Sequence, residues 1–181
     1  MGVYRDQILP RVIDKVCGGA DMQRFRDRAC AGLRGTIVEI GFGSGLNVAS
    51  YPPEVDLVYA VEPASLGRKL AAPRIARGTA RVEHVGFPGV EQALAEVFRV
   101  LRPGGTFHIL EHGVAPDPGV ARWQHRLDPV QHVVGDGCHL TRDPLALLRG
   151  AGFEVIEADQ RYVAGPKPWT FMTQAVGRRP A

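Results

Sequence analysis

Three alternating glycines, Gly41, Gly43 and Gly45, follow the β-branched run Thr36 to Ile40, with Glu39 two residues before the first and Asn47 two after the last. Residues of these types in this order can hold a small polar ligand. Glycine tolerates positive φ and lets a ligand approach the main chain closely. The segment from Ser44 to Ala49 is predicted to open a helix whose free N–H groups face that ligand. A dinucleotide fingerprint would place its third glycine three positions after the second, where this chain has Leu46. Glu39 is a second objection to a pyrophosphate: a carboxylate at the strand end would repel it, but could accept a hydrogen bond from an ammonium group. The pattern therefore favours a ligand with an amino-acid end. Glu62 adds an acid for a sugar, lying near the offset of about 20 residues at which an acid meets ribose hydroxyls in doubly wound folds.

Other reactive side chains give weaker signals. His125, His132, Cys138 and His139 invite a metal reading, but Pro129 separates the first pair and no carboxylate-backed ligand set emerges, so no metal site is expected. Cys17, Cys30 and Cys138 lack C-x-x-C spacing, which argues against a disulfide framework and for reduced thiols. Cys138, with Asp136 and His139 nearby, is read as a small buried filler first and as a pocket-lining group second.

The elements that must position these groups follow from periodicity. Strands are predicted at Thr36 to Ile40, buried on both faces, at Asp56 to Val61, with Glu62 at its carboxyl end, and at Val82 to Val85. Three more follow at Thr106 to Leu110, Phe153 to Ala158 and Thr170 to Val176, the last two as an antiparallel pair. Helical spacing runs through Tyr4 to Cys17, with Ile8, Val12, Ile13 and Val16 apolar, and through Met22 to Leu33. Arg24, Arg26, Arg28 and Arg34 read as the solvated side of that second helix. Ser65 starts a helix that Pro73 kinks or splits. Val90, Leu94, Val97, Phe98 and Leu101 mark another, and Val120 to Val134 a further one despite Pro129. Thr141-Arg142-Asp143-Pro144 supplies an N-cap and an early proline for the helix through Leu148.

With Glu39, Gly41, Gly43, Gly45 and Glu62 in place, the chain resembles the class I S-adenosylmethionine-dependent methyltransferases, whose first motif is an acid, any residue, then G-x-G-x-G. Val97-Phe98-Arg99-Val100-Leu101-Arg102-Pro103-Gly104-Gly105 looks like the family's helix and turn before its fifth strand. Leu148 to Val155 is similar to its late helix and turn. The resemblance spans Leu33 to Gly177. Glu111-His112-Gly113, Trp123, Gly137-Cys138-His139-Leu140, Arg142 and Pro168-Trp169 look most like the branch of the methyltransferase-like 7 thiol methyltransferases and their bacterial relatives. It implies a Rossmann-like α/β sheet, mostly parallel with a C-terminal antiparallel strand. S-adenosylmethionine is then the expected cofactor, held by Glu39, Gly41, Gly43, Gly45, Asn47 and Glu62. A small-molecule acceptor, with a thiol as one candidate, is the implied partner. Methyl transfer from a sulfonium depends mainly on in-line placement. Where the acceptor must lose a proton, His112 is the candidate base, since it follows a strand at the ligand end and imidazole titrates near neutrality. Trp123 and Trp169 are expected to pack in the core or to wall the acceptor pocket.

One interval departs from the family. Only 20 residues, Gly86 to Gly105, separate the third strand from the next, and a single helix fills most of them. Two crossovers and an intervening strand do not fit there, so the sheet is expected to be one strand short. The strand from Thr106 is expected to pair straight onto the glycine strand; the alternative is a gap in the centre of the sheet. The shortened interval also sustains a rival reading, a degenerate methyltransferase-like binding or regulatory module without catalysis.

The 181 residues, 45% hydrophobic and 23% charged, fit one domain, with 1–34 as leading helices over the cofactor site and 35–177 as the core. The net charge of +3 comes from scattered basic residues without stacking aromatics, which argues against nucleic acid. No apolar run reaches the ~18 residues of a membrane span, and no signal-peptide pattern opens the chain. A cytoplasmic location is expected.

Overall fold

A computed structural model describes residues 4, 8–62, 65–85, 90–134 and 138–181. By backbone proximity the chain divides into two compact units, 1–93 and 94–181. The junction Phe87-Pro88-Gly89 and the residues Asp136 and Gly137 lie outside the described residues.

The first unit opens with helices α1 (Leu9–Cys17) and α2 (Ala20–Cys30). Pro10 does not interrupt α1 but sits in its first turn, where its missing N–H is no loss. Strands β1 (Gly35–Ile40), β2 (Val55–Val61) and β3 (Arg81–Val85) form a parallel sheet in the order β1-β2-β3. Helix α3 (Ser65–Ile75) makes the crossover from β2 to β3 and accommodates Pro73. The core gathers on β2, where Val55, Val58 and Ala60 pack with Phe42, Val48, Tyr51, Ala71 and Cys30. Burying each of the larger side chains contributes about 1.5–3 kcal/mol.

Three expectations change here. β1 is not buried on both faces: its residues alternate between exposed and half-buried, and Val38 keeps 44% of its surface. The strand stands at the edge of its sheet, so β2 has the covered position instead. The helix expected from Ser44 is replaced by turns and a short 3-10 segment, Val48–Ser50. Tyr51-Pro52-Pro53 follows at once, and residues preceding proline disfavour the α region. On α1, Ile8, Val12 and Ile13 are exposed while Leu9 is buried, so the stripe picked out by spacing is not the covered one.

The second unit holds α4 (Val90–Val100), which begins just before the boundary, then β4 (Thr106–His112), α5 (Pro118–Val134), α6 (Pro144–Gly150), β5 (Glu154–Tyr162), α7 (Lys167–Thr170) and β6 (Phe171–Arg178). Its sheet has the order β4-β6-β5, with β6 antiparallel to both neighbours. The C-terminal strand is therefore the antiparallel one, as expected, inserted between two strands that run the same way. Asp143 caps α6 by accepting from the N–H groups of Leu145 and Ala146 at 3.0 and 3.1 Å. Phe153 is the centre of the aromatic core, 5.1 Å from Phe98 and 5.6 Å from Phe107 between ring centroids.

The expected pairing of the Thr106 strand onto the glycine strand is not found. Among the described residues β4 pairs with β6 and β1 with β2, which leaves two three-stranded sheets rather than one closed-up sheet. Among the described residues the 20-residue interval holds the helix α4 and no strand. No helix among the described residues is long and apolar enough to cross a membrane.

Candidate binding site and a histidine–cysteine pair

Beyond Ile40 the chain turns through Gly41, Gly43 and Gly45 with φ of 76°, 55° and 72°, values that favour glycine. The three glycines serve different ends. A Cβ at Gly41 would meet nothing within 4 Å, so this side of the turn is open to a ligand. At Gly45 a Cβ would come within 3.1 Å of Ala71 and 3.3 Å of the Phe42 ring; this glycine lets α3 pack. The Gly43 N–H donates to Glu62 Oε2 at 2.8 Å. Glu62 at the end of β2 is thus brought onto the turn after β1, as the sequence pattern requires. Gly67 on α3 allows the approach, because a Cβ there would stand 3.1 Å from the Glu62 side chain.

Glu39 is held by the protein itself. Asn47 Nδ2 donates to its Oε1 at 2.9 Å, and the Tyr51 hydroxyl donates to its Oε2. Burial is the strongest influence on this carboxyl and pushes it up to about 7, although both hydrogen bonds pull the other way. Asn47 accordingly positions the acid.

The leading helices do reach this turn. Ser44 Oγ donates to Asp14 Oδ1 of α1 at 2.5 Å, and Arg74 Nη1 donates to the Ser44 carbonyl at 2.8 Å and pairs with Asp14 at 2.8 Å. Burial works against the Asp14 charge, but the Ser44 and Arg74 contacts outweigh it and hold the carboxyl below its usual range.

Arg26 corrects an expectation. It is not on the solvated side of α2 but buried, 5% exposed, with Nη2 donating to the Cys17 carbonyl at 2.5 Å. Its Nη1 is buried without a hydrogen-bond partner, and its charge lies close enough to interact with Glu39. Arg26 and Cys30 stand four apart on one helical face; that spacing was the available signal. Tyr51, Asp14 and Arg74 carried none, because their roles depend on long-range contacts.

In the second unit, His112 ends β4 opposite Met172 of β6. Its Nε2 lies 2.8 Å from Cys138 Sγ, and its Nδ1 lies 3.6 Å from Glu111 Oε1. Burial alone would lower the imidazole. The bond to Cys138 and the charge of Glu111 more than reverse this and raise it to about 9. The expected titration near neutrality is therefore moved, and His112 keeps its proton at pH 7. Cys138 is half-buried and engaged, not an inert filler.

Both partners are fixed from outside the pair. Gln124, fully enclosed, accepts from the Ala115 N–H at 2.8 Å and donates to the Gly113 carbonyl at 3.0 Å, which sets the exit from β4. Asp128 accepts from the Leu140 N–H at 2.6 Å and pairs with His139 Nδ1 at 2.9 Å, tying the segment after Cys138 to α5. His132 stacks on His139 at 4.5 Å, and among the described residues no three His, Cys, Asp or Glu side chains converge on a metal position. Trp123 and Trp169 are not core residues. They are 56% and 39% exposed, the first under Arg126 and the second donating to Gln131 Oε1 at 2.9 Å.

No family model matches the chain. It is 41% identical over 81 residues to the human thiol S-methyltransferase TMT1A, a match covering 44% of this chain and 32% of that protein. Against thiol S-methyltransferase TMT1B of Rattus norvegicus it is 39% identical over 69 residues, covering 38% and 28% respectively. The matches thus span about a third of the length of these curated relatives. Among solved structures, an O-methyltransferase family protein from Burkholderia thailandensis superposes with a TM-score of 0.67 at 16% identity, over 95% of this chain and 58% of that one. The N-methyltransferase NodS from Bradyrhizobium japonicum, solved with S-adenosyl-L-homocysteine, gives 0.67 at 12% identity, over 98% and 95%.

Proposed function

Since the chain belongs to the class I S-adenosylmethionine-dependent methyltransferase family, we propose that its first unit binds S-adenosylmethionine and that the protein methylates a small acceptor, a thiol in the first instance. The observation that carries this reading is the closure of Glu62 onto the Gly43 N–H beside the open flank of Gly41. The residues fit such a ligand. Glu39 has lone pairs left for an ammonium group after its bonds to Asn47 and Tyr51. The buried, unpartnered Nη1 of Arg26 supplies the cation that an amino-acid carboxylate needs. Glu62 is assigned to the ribose, and Gly41, Gly43 and Gly45 give the main chain its close approach.

When bound, the sulfonium supplies an electrophilic methyl group. The chain's part is to orient and to shield, since placement contributes most to such a transfer. For the acceptor we assign His112, whose protonated imidazole favours the thiolate form of a thiol beside it.

Radiolabelled methyl transfer to a panel of thiols, amines and phenols tests the reading. Turnover on thiols supports it, and Glu62→Ala is expected to weaken S-adenosylhomocysteine binding about tenfold or more through the lost hydrogen bonds to a charged group; unchanged affinity discards the ribose assignment. Binding without turnover on any acceptor selects the non-catalytic reading instead, which is favoured by β1 standing uncovered at a sheet edge after so short an interval.

A further inference from the structure

The three cysteines sit in three different surroundings. Cys30 is buried in the core of the first unit, and burial pushes its thiol up to about 12. Cys17 closes α1, half-buried, with its carbonyl accepting from Arg26. The Arg26 charge acts on both of these thiols. Cys138 instead has an imidazole on its sulfur, His112 Nε2 at 2.8 Å, with Glu111 Oε1 at 3.6 Å from Nδ1. Nucleophile and proton carrier thus stand in direct contact, the arrangement by which a thiol is activated, while Nδ1 is buried without a hydrogen bond and feels Glu111 only through its charge. The pair is built into the fold: Glu111 accepts from the His112 N–H at 3.0 Å, and Asp128 and Gln124 hold the two segments that bear the pair. Among the described residues, the ionisable groups acting on His112 are Glu111 and Cys138; Met172, across the ladder, is uncharged.

We propose that Cys138, paired with His112, is a site of reversible S-thiolation by small-molecule disulfides. Cys138 Sγ attacks one sulfur of the disulfide. A new S–S bond forms to that sulfur, the original S–S bond breaks, and the departing thiolate takes the proton held on His112 Nε2. The disulfide is the only oxidant required, and excess thiol reverses the step. Half-burial of Cys138 admits a small disulfide, while the enclosed Cys30 is out of reach. The inference draws on the second unit alone and stands whether or not the chain transfers methyl groups.

The test is glutathione disulfide applied to the full chain between pH 6 and 9, with the modification of each cysteine followed by peptide mass mapping. At pH 6.5 Cys138 is expected to form the mixed disulfide, with the proton on His112 passing to the departing thiolate. Cys30 is expected to stay unmodified. His112→Gln is expected to slow Cys138 by about tenfold or more at pH 6.5 and to leave Cys17 unchanged. Absence of modification at Cys138 in the unaltered protein overturns the proposal, as does a His112→Gln protein that reacts normally at Cys138. Should the variant expose Cys30, marking a lost fold, modification of Cys138 in the unaltered chain decides alone.

Discussion

Glu39 and His112 occupy matching places, each at the carboxyl end of a strand and each with its titration moved upward, yet for opposite reasons. For Glu39 burial does the raising, so the fold favours the neutral acid. For His112 burial does the lowering, and a sulfur and a carboxylate overcome it, so the fold favours the cation. One site holds back a negative charge; the other favours a positive charge against its partner. Direction alone would have made the two sites look alike, and only the cause separates them.

The comparison is broken most severely by Glu39→Gln. Losing the carboxylate is expected to weaken S-adenosylhomocysteine binding about 100-fold, as removal of one partner of an enclosed charged pair does. Stability moves the other way. The folded carboxyl lies near 7, above its ordinary 4.5, so its contribution is complete below pH 4.5 and is lost as pH rises to 7. The ligand-free Gln variant is accordingly expected to be more stable at pH 8, by up to about 3 kcal/mol, and no different at pH 4. Denaturant melts at the two pH values check the sign.

Cys138→Ala tests the other half. Without the sulfur, burial is left as the main influence on His112, and its NMR titration is expected to fall from about 9 by more than about one unit. The linkage follows. With folded His112 above its unfolded value, the pair stabilises fully below pH 6.5 and less as pH climbs to 9. The alanine variant should thus lose more stability at pH 6 than at pH 9. Glu111→Gln sharpens the division between bond and charge: at 3.6 Å and largely exposed, the carboxylate is expected to account for only a few tenths of a unit, about a twofold effect.

Much of this was legible in the sequence, for reasons that differ by residue. The strands, the Asp143 cap and the antiparallel ending follow from local pattern, and local pattern held. The glycine turn with Glu39 and Glu62 was legible because its spacing encodes both the turn and the next strand end. Arg26 was misjudged because four arginines looked like one solvated patch, whereas only helical phase distinguishes the buried member from its neighbours. Tyr51 as a donor to Glu39, the Asp14–Ser44–Arg74 network and the His112–Cys138 contact join residues far apart in sequence, and no spacing rule reports such pairs. The expected closure of the sheet failed on similar ground: periodicity gives a strand but not its partner.

The central claim is that Glu39 waits protonated for the ammonium end of an amino-acid-bearing nucleoside. Calorimetric titration with S-adenosylhomocysteine at pH 6 and pH 8, in buffers of different ionisation enthalpy, tests it most directly. The account predicts binding at both, about tenfold tighter at pH 8, with close to one proton released per ligand at pH 6 and almost none at pH 8. Absence of binding at near-millimolar ligand, or equal affinity at the two pH values without proton release, would contradict it.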